Sequence, residues 1–312
     1  MKVAFLFPGQ GSQRVGMGSD LAAALPDLKS EFFDRADSLL GYSLSSLCFE
    51  GPEEELIKTQ NQQPGIFLVS VAMARLLRAR GVAPEAVAGH SLGEYSALVA
   101  AGALDFETGL KLTRRRGELM AEVGSRSGGI MAAILGLPAA AVEAVCQDSR
   151  GAGPVEVANY NSPSQTVISG EGAAVRAAME RARGAGARRV IELAVRAPFH
   201  CSLMAPLAET FGAMLDVAPI AVPQIPVIAN VTAAREQTEE EVRSNLVKQL
   251  DSPVRWTESI IGLVDGGYDT FIEVGPGKVL TGLMRQIAPR VTVIDTGDLG
   301  GINRAASLIH GA

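Results

Sequence analysis

In the stretch AGHSLGEYSAL, residues 88–98, a serine lies between two glycines just ahead of a run with helical character. Gly89, Ser91 and Gly93 fit G-x-S-x-G, the pattern of a sharp strand-to-helix turn that presents a serine hydroxyl as a nucleophile. Glycines suit such a turn because a side chain would clash where the backbone doubles back. The helix N-terminus that follows offers backbone N–H groups and a positive dipole end to a developing oxyanion. A plain helix cap is the other reading of Ser91. With 34 glycines in the chain, about 0.25 chance matches to the pattern are expected, so the motif alone leaves both readings open.

A nucleophilic serine needs a base, and the chain has only three histidines. His90 directly precedes the serine, so its side chain is expected to point away from it. His310 lies third from the C-terminus, where chains are commonly held loosely. His200, in RAPFHCSLM, remains; it sits in a loop between a predicted strand and a predicted helix. A lone histidine is more often structural than catalytic, and the elimination moves His200 toward the role of base. Arg116 stands out by geometry. On a helix predicted over 105–124, with Asp105 as N-cap, Leu112, Leu119, Met120 and Val123 form an apolar stripe and Arg116 falls inside it. Arg114 and Arg115 fall near Glu118 and Glu122 on the wet face, where solvation or weak pairing is expected. An inward guanidinium requires an anion, because an unpaired buried charge is very costly. Either an internal carboxylate supplies it or the substrate does, since arginine grips a carboxylate with two parallel hydrogen bonds.

The elements that must position these groups can be read from apolar patterning. VAFLF (3–7) and AVAG (86–89) read as short buried strands, the first ending in the glycine-rich loop PGQGSQ. Residues 19–80 read as mostly helical, closing with a helix over 65–81 that stops at Gly81. From 126 to 196 the character changes: strand 129–137, helix 138–148, strands 155–160 and 165–170 joined by NSPS, helix 171–186 and strand 188–195. That order, β-α-β-β-α-β, is ferredoxin-like. The expected organisation is therefore a large α/β domain, 1–125 and 197–312, with a mainly parallel sheet, and a smaller inserted domain at 126–196. A helix at about 202–217, a strand at 225–231, a helix before SPVRW, and strand, turn and helix in YDTFIEVGPGKVLTGLMRQ complete the reading.

Composition bounds the function. Hydrophobic residues make up 47% and charged residues 20% of the 312, the balance of a globular protein with a substantial core. A net charge of −6 argues against nucleic acid as the main partner. No apolar run is long enough for a membrane span, and MKVAFLFPG meets a proline too early for a signal peptide, so a cytoplasmic location is expected. Cys48, Cys146 and Cys201 are too scattered for a disulfide framework or a metal site. PGQGSQ lacks the lysine of a Walker loop, so it reads as active-site loop.

FPGQGSQ (7–13), GHSLGEYSAL (89–98), RRRGELM around Arg116, APFHCSLM (197–204), QLDSPVRW (249–256) and EVGPGKVLTGL (273–283) follow in one order. Together they resemble the malonyl-CoA:acyl carrier protein transacylase family of bacterial fatty acid synthesis, an acyltransferase family shared with polyketide synthases, over essentially the whole chain. The resemblance implies that Ser91 takes the malonyl group as an ester and that His200 is the base. Gln249 would hold His200 through a carbonyl oxygen, the amides of Gln10 and Leu92 would form the oxyanion hole, and Arg116 would bind the malonyl carboxylate. Gln63 and Asn161 match positions near the cleft, and Phe199 beside His200 is expected to narrow the pocket. Malonyl-CoA is then the substrate, no cofactor or metal is bound, and an acyl carrier protein is the partner, with Arg188, Arg189, Lys278 and Arg285 as candidate docking residues. The alternatives are a discrete acyltransferase serving a polyketide synthase, a serine thioesterase or hydrolase, and a non-catalytic scaffold. Against the hydrolase stands the helical reading of residues 10–80, where that fold usually places strands.

Overall fold

VAFLF and AVAG show no polar alternation, which suits strands covered on both faces. They form the adjacent parallel strands β1 (Val3–Phe7) and β2 (Ala86–Gly89), buried throughout. Between them the chain is helical, ending in α1 (Thr59–Ala79). After β2 come α2 (Gly93–Ala100) and α3 (Phe106–Ser127), the latter capped by the Asp105 side chain. The antiparallel strands β3 (Gly129–Leu135), β4 (Val155–Ser162), β5 (Gln165–Glu171) and β6 (Arg189–Glu192) follow, in the order β4-β5-β3-β6, with helices Ala139–Ser149 and Gly172–Gly184 between them. The chain then returns to the first sheet with β7 (Val227–Ile228), β8 (Thr270–Glu273) and β9 (Thr292–Asp295). That sheet runs β7-β2-β1-β8-β9, every pair parallel. This mixed α/β architecture was obtained as a computed structural model, which describes residues 1–195 and 197–311. Arg196, the last residue of the expected inserted domain, lies outside the described residues.

Burial follows the pleat. Val3, Phe5 and Phe7 of β1 join one apolar cluster with Phe67, Tyr95 and Leu98, while Ala4 and Leu6 join another with Trp256, Phe271 and Leu280. Each large apolar side chain so enclosed contributes about 1.5–3 kcal/mol. The antiparallel sheet has a cluster of its own around Ile134, Val142, Ile168 and Ala178. The two sheets are joined through main chain: Tyr160 N–H donates to the Val254 carbonyl and Val254 N–H to the Ala158 carbonyl, both at 2.9 Å.

Several elements differ from the sequence reading. The helix expected from 65 begins at Thr59 and runs through Pro64. The proline leaves the Gln60 carbonyl without its intrahelical donor, and the Arg114 guanidinium supplies one at 3.0 Å. Arg114 pairs with Glu118 as expected and in addition reaches Tyr42 Oη and Asn61. The strand expected over 225–231 is only two residues long, because the chain folds back after Ile228 through a turn with Ala233 in the left-handed region, φ 53°. The last strand of the antiparallel sheet spans 189–192 rather than 188–195, and the helix expected from 202 starts at Leu207 after a 3-10 turn at Ser202–Met204. The chain end is ordered by β9 and α4 (Leu299–His310), neither of them anticipated. His310 is held there, its Nε2 2.7 Å from the Arg80 carbonyl. No helix among the described residues is long and apolar enough to cross a membrane.

At the β1–β2 end the backbones nearly touch. A Cβ on Gly93 would overlap the Phe7 carbonyl, and one on Gly89 would overlap the Gly93 carbonyl. Gly93→Ala is therefore expected to destabilise the protein by about 3 kcal/mol or more. Gly262→Ala, in an exposed helical position with open space around the new methyl, should instead be stabilising by about 0.5–1 kcal/mol. Urea unfolding of both variants checks the pair; equal effects would contradict the packing argument.

Candidate active site

The parallel strands β1, β2 and β7 end together, and the chemistry-bearing residues collect at those carboxyl ends, where open α/β sheets place their ligands. Ser91 stands between the end of β2 at Gly89 and the start of α2 at Gly93, in the left-handed conformation with φ 52°. Such a φ costs a non-glycine residue roughly 1–2 kcal/mol, and here the peptide is gripped on both sides. The Ser91 N–H donates to Asn230 Oδ1 at 2.6 Å, and its carbonyl accepts from Gln249 Nε2 at 2.9 Å. Its Oγ is 2.7 Å from His200 Nε2 and 3.2 Å from an Arg116 Nη2 donor.

His200, only 3% exposed, also has a left-handed backbone, φ 60°, and its N–H is tied to the Leu250 carbonyl at 3.2 Å. Its Nδ1 lies 2.7 Å from the main-chain carbonyl of Gln249. A carbonyl can only accept, so Nδ1 carries the hydrogen and Nε2 presents its lone pair to the serine hydroxyl. Burial and then the Arg116 charge lower the His200 pKa to about 3, so the ring is neutral at ordinary pH. Gln249 therefore meets the imidazole through its main chain. Its side chain turns the other way, with Oε1 accepting from Arg116 Nη2 at 2.8 Å and Nε2 donating to Glu94 Oε2 at 2.7 Å.

Arg116 is 1% exposed and points inward as its place in the stripe predicts. Its Nη1 donates to Gln63 Oε1 at 2.8 Å, and its Nε has no acceptor. Among the described residues no carboxylate lies within ion-pair distance of it. Neutral amides and a hydroxyl surround the charge. Gln63 is fully buried and keeps its Nε2 against Met120 Sδ at 3.3 Å.

Gln10 follows β1 in the loop packed on His90, whose N–H donates to the Phe7 carbonyl at 2.9 Å. The amides of Gln10 and Leu92 donate to no group among the described residues. Asn161 is brought not to the serine but to His90, its Oδ1 2.8 Å from His90 Nε2, while its Nδ2 donates to Gln165. The His90 ring packs edge-on to Trp256, away from the serine hydroxyl. Phe199 is buried in the main apolar cluster beside His200. Arg188 and Arg189 are exposed at the β6 edge of the antiparallel sheet; Lys278 and Arg285 are exposed at helix Val279–Ile287, which packs toward the opposite edge, and Lys278 pairs with Asp295 at 3.1 Å. Asn230 and Glu94 were not singled out from sequence. Glu94 had a signal, being the sole charge in the otherwise uncharged helix GEYSALVA; Asn230 had none before β7 was known to pair with β2.

A serine on a strand-to-helix turn, a neutral imidazole on its hydroxyl and free main-chain amides nearby are what enzymes use to pass an acyl group through a serine ester. Comparison with known proteins agrees. The family model described as acyl transferase domain matches residues 4–295, and the chain belongs to that family; it is an acyltransferase. The malonyl CoA-acyl carrier protein transacylase of Bacillus subtilis (strain 168) is 47% identical over 298 residues, 95% of this chain and 94% of the relative. That of Escherichia coli (strain K12) is 43% identical over 290 residues, 93% and 94% of the two chains. Among solved structures, a malonyl-transacylase in complex with its holo type II PKS acyl-carrier protein superposes with a TM-score of 0.96 at 41% identity, covering 99% of this chain and 100% of that one. The malonyl CoA-acyl carrier protein transacylase of Coxiella burnetii superposes with 0.95 at 39% identity, covering 98% and 97%.

The depressed His200 pKa sets a pH dependence. A base acts in its neutral form, and a lowered pKa keeps that form populated to lower pH. The kcat/KM of acyl transfer is expected to stay level as pH falls from 8 through 6.5, with its acid limb below pH 5. A limb centred near 6.5 would mean that His200 titrates like an open histidine.

Proposed function

We propose that this chain transfers a malonyl group from malonyl-CoA to the phosphopantetheine thiol of an acyl carrier protein, through an ester on Ser91, supplying extender units for fatty acid synthesis. One observation carries the choice of acyl group: a buried guanidinium without a carboxylate partner, 3.2 Å from the serine hydroxyl. Such a charge is costly among neutral partners, and an acyl group ending in a carboxylate brings a counter-charge to the reacting atom.

The steps follow from the geometry. His200 Nε2 takes the Ser91 proton as Oγ attacks the thioester carbonyl. The Gln10 and Leu92 amides receive the oxyanion, and collapse releases the CoA thiolate, which recovers the proton from His200. The carrier thiol then gives its proton to His200 and attacks the ester, and Ser91 leaves as an alkoxide that takes that proton back. Splitting the exchange in two gives ping-pong kinetics. No cofactor is needed for any step. Burial and then the Arg116 charge lower the His200 pKa, and a substrate carboxylate on Arg116 offsets the second of these while burial remains.

The finer fold reading belongs here too. The strand order β4-β5-β3-β6 and the separate cluster support an inserted ferredoxin-like domain at 126–196 within a domain of 1–125 and 197–312. The Ser91 φ and the glycine contacts support a nucleophile elbow. Three buried free cysteines suit a cytoplasmic location, where thiols stay reduced. With net charge −6, carrier docking relies on local basic residues; Arg188 and Arg189 at one edge of the antiparallel sheet and Lys278 and Arg285 toward the other are two separate candidate places for it. Transfer to a polyketide carrier is the second reading, favoured by the likeness to the transacylase solved with its type II PKS carrier.

Intact-mass measurement after incubation with malonyl-CoA should find a malonyl adduct on the parent, none on Ser91→Ala, and its discharge on adding acyl carrier protein. Decay into water at the same rate without carrier would point to a hydrolase. Arg116→Ala is expected to lose about 10- to 100-fold of the preference for malonyl-CoA over acetyl-CoA, since a charge-assisted contact contributes about 1.5–3 kcal/mol. An undiminished preference would remove the assigned role of Arg116.

A further inference from the structure

Glu94 is a fully buried carboxylate at the start of α2 that takes no part in the steps above. Its Oε2 accepts two hydrogen bonds, from Gln249 Nε2 at 2.7 Å and from the Asn230 N–H at 3.1 Å. Those two residues hold the serine peptide. Asn230 Oδ1 takes the Ser91 N–H while its Nδ2 donates to the Gly89 carbonyl at 2.6 Å; Gln249 Nε2 reaches the Ser91 carbonyl, its Oε1 takes Arg116, and its main-chain oxygen takes His200. One carboxylate oxygen thus ties together the partners of the serine, the imidazole and the guanidinium. Because a carboxylate accepts and a guanidinium only donates, the two also set which end of the Gln249 amide faces which neighbour.

We infer that Glu94 is a positioning residue of the acyl-transfer site, a buried acid that acts on the serine, the imidazole and the guanidinium only through Gln249 and Asn230. Its other oxygen, Oε1, is buried and has no partner among the described residues. Burial and then the charge of Glu236 raise the Glu94 pKa, in keeping with a retained proton on that oxygen. The charged and titratable groups acting on it are Glu236, Arg116 and Tyr95; only Arg116 favours ionisation.

The inference rests on the acyl-transfer reading, and the experiment separates the two. Acylation of Ser91 by malonyl-CoA is followed by rapid quench and intact mass in the parent, Glu94→Ala and Glu94→Gln, with melting temperatures over pH 6–9. Glu94→Ala should lose on the order of a hundredfold in kcat with less than about threefold change in KM. Glu94→Gln keeps an acceptor for Gln249 and Asn230 and is neutral like a protonated carboxyl, so it should recover kcat to within about tenfold of the parent. A carboxyl that retains its proton only in the fold loses stability as pH rises, so the melting temperature of Glu94→Gln relative to the parent should climb across that range. If Glu94→Ala does not fold, Asn230→Ala, which cuts the link from Glu94 to the Ser91 N–H, should show the same kcat loss. A folded Glu94→Ala with parental kcat, or a Glu94→Gln as impaired as the alanine variant, overturns the positioning role. A melting difference independent of pH overturns the retained proton. A parent that takes up no malonyl group sinks the acyl-transfer reading itself.

Discussion

Arg116 carries a full charge into a place where water does not reach, and its companions are two amide oxygens and a hydroxyl. Isolated charge in such surroundings is among the most unfavourable arrangements a protein can hold, and much of the neighbouring architecture can be understood as making it tolerable. Gln63 reaches it from α1, whose entry past Pro64 is secured by the neighbouring Arg114. Gln249 reaches it from beyond the helix Glu239–Lys248, and the face of the Tyr95 ring lies below it at 5.7 Å. Oxygens from three distant segments, at Gln63, Ser91 and Gln249, converge on the one charge.

The same convergence arranges the serine. The parallel sheet brings the ends of β1, β2 and β7 side by side, so residues just past each strand become neighbours: the Gln10 loop, the Ser91 turn and the Asn230 turn. Ser91 and His200 both occupy left-handed backbone that their residue types disfavour. Main-chain and amide hydrogen bonds hold each of them there. The antiparallel sheet reaches this region through Val254 and through Asn161, which supports His90 against Trp256 rather than meeting the serine directly.

How much of this was legible in the sequence depends on the range of the interaction. Arg116 could be found because helical periodicity is local: a charge inside an apolar stripe must turn inward. His200 emerged by counting. The buried strands β1 and β2 announced themselves by unbroken apolar runs. Asn230 could not be read, since its importance comes from a two-residue edge strand whose pairing with β2 no local pattern encodes. The Arg114 pairing with Glu118 was legible from i+4 spacing, but its bond to Gln60 was not, because that carbonyl is freed by a proline some 50 residues earlier in the chain. The contact of Gln249 with His200 was reached only through the family resemblance, for a backbone oxygen carries no residue identity. Glu94 was visible as a lone charge in an apolar helix but gains meaning only once its two partners are in view.

The depth of the arginine has a further consequence on the proposed reading. The guanidinium is buried beside the serine hydroxyl itself, 3.2 Å from it, so the acid it would hold must travel on the acyl group and stay close to the carbonyl that reacts. Discrimination of that kind gauges the spacing between charge and reacting carbon, and not charge alone.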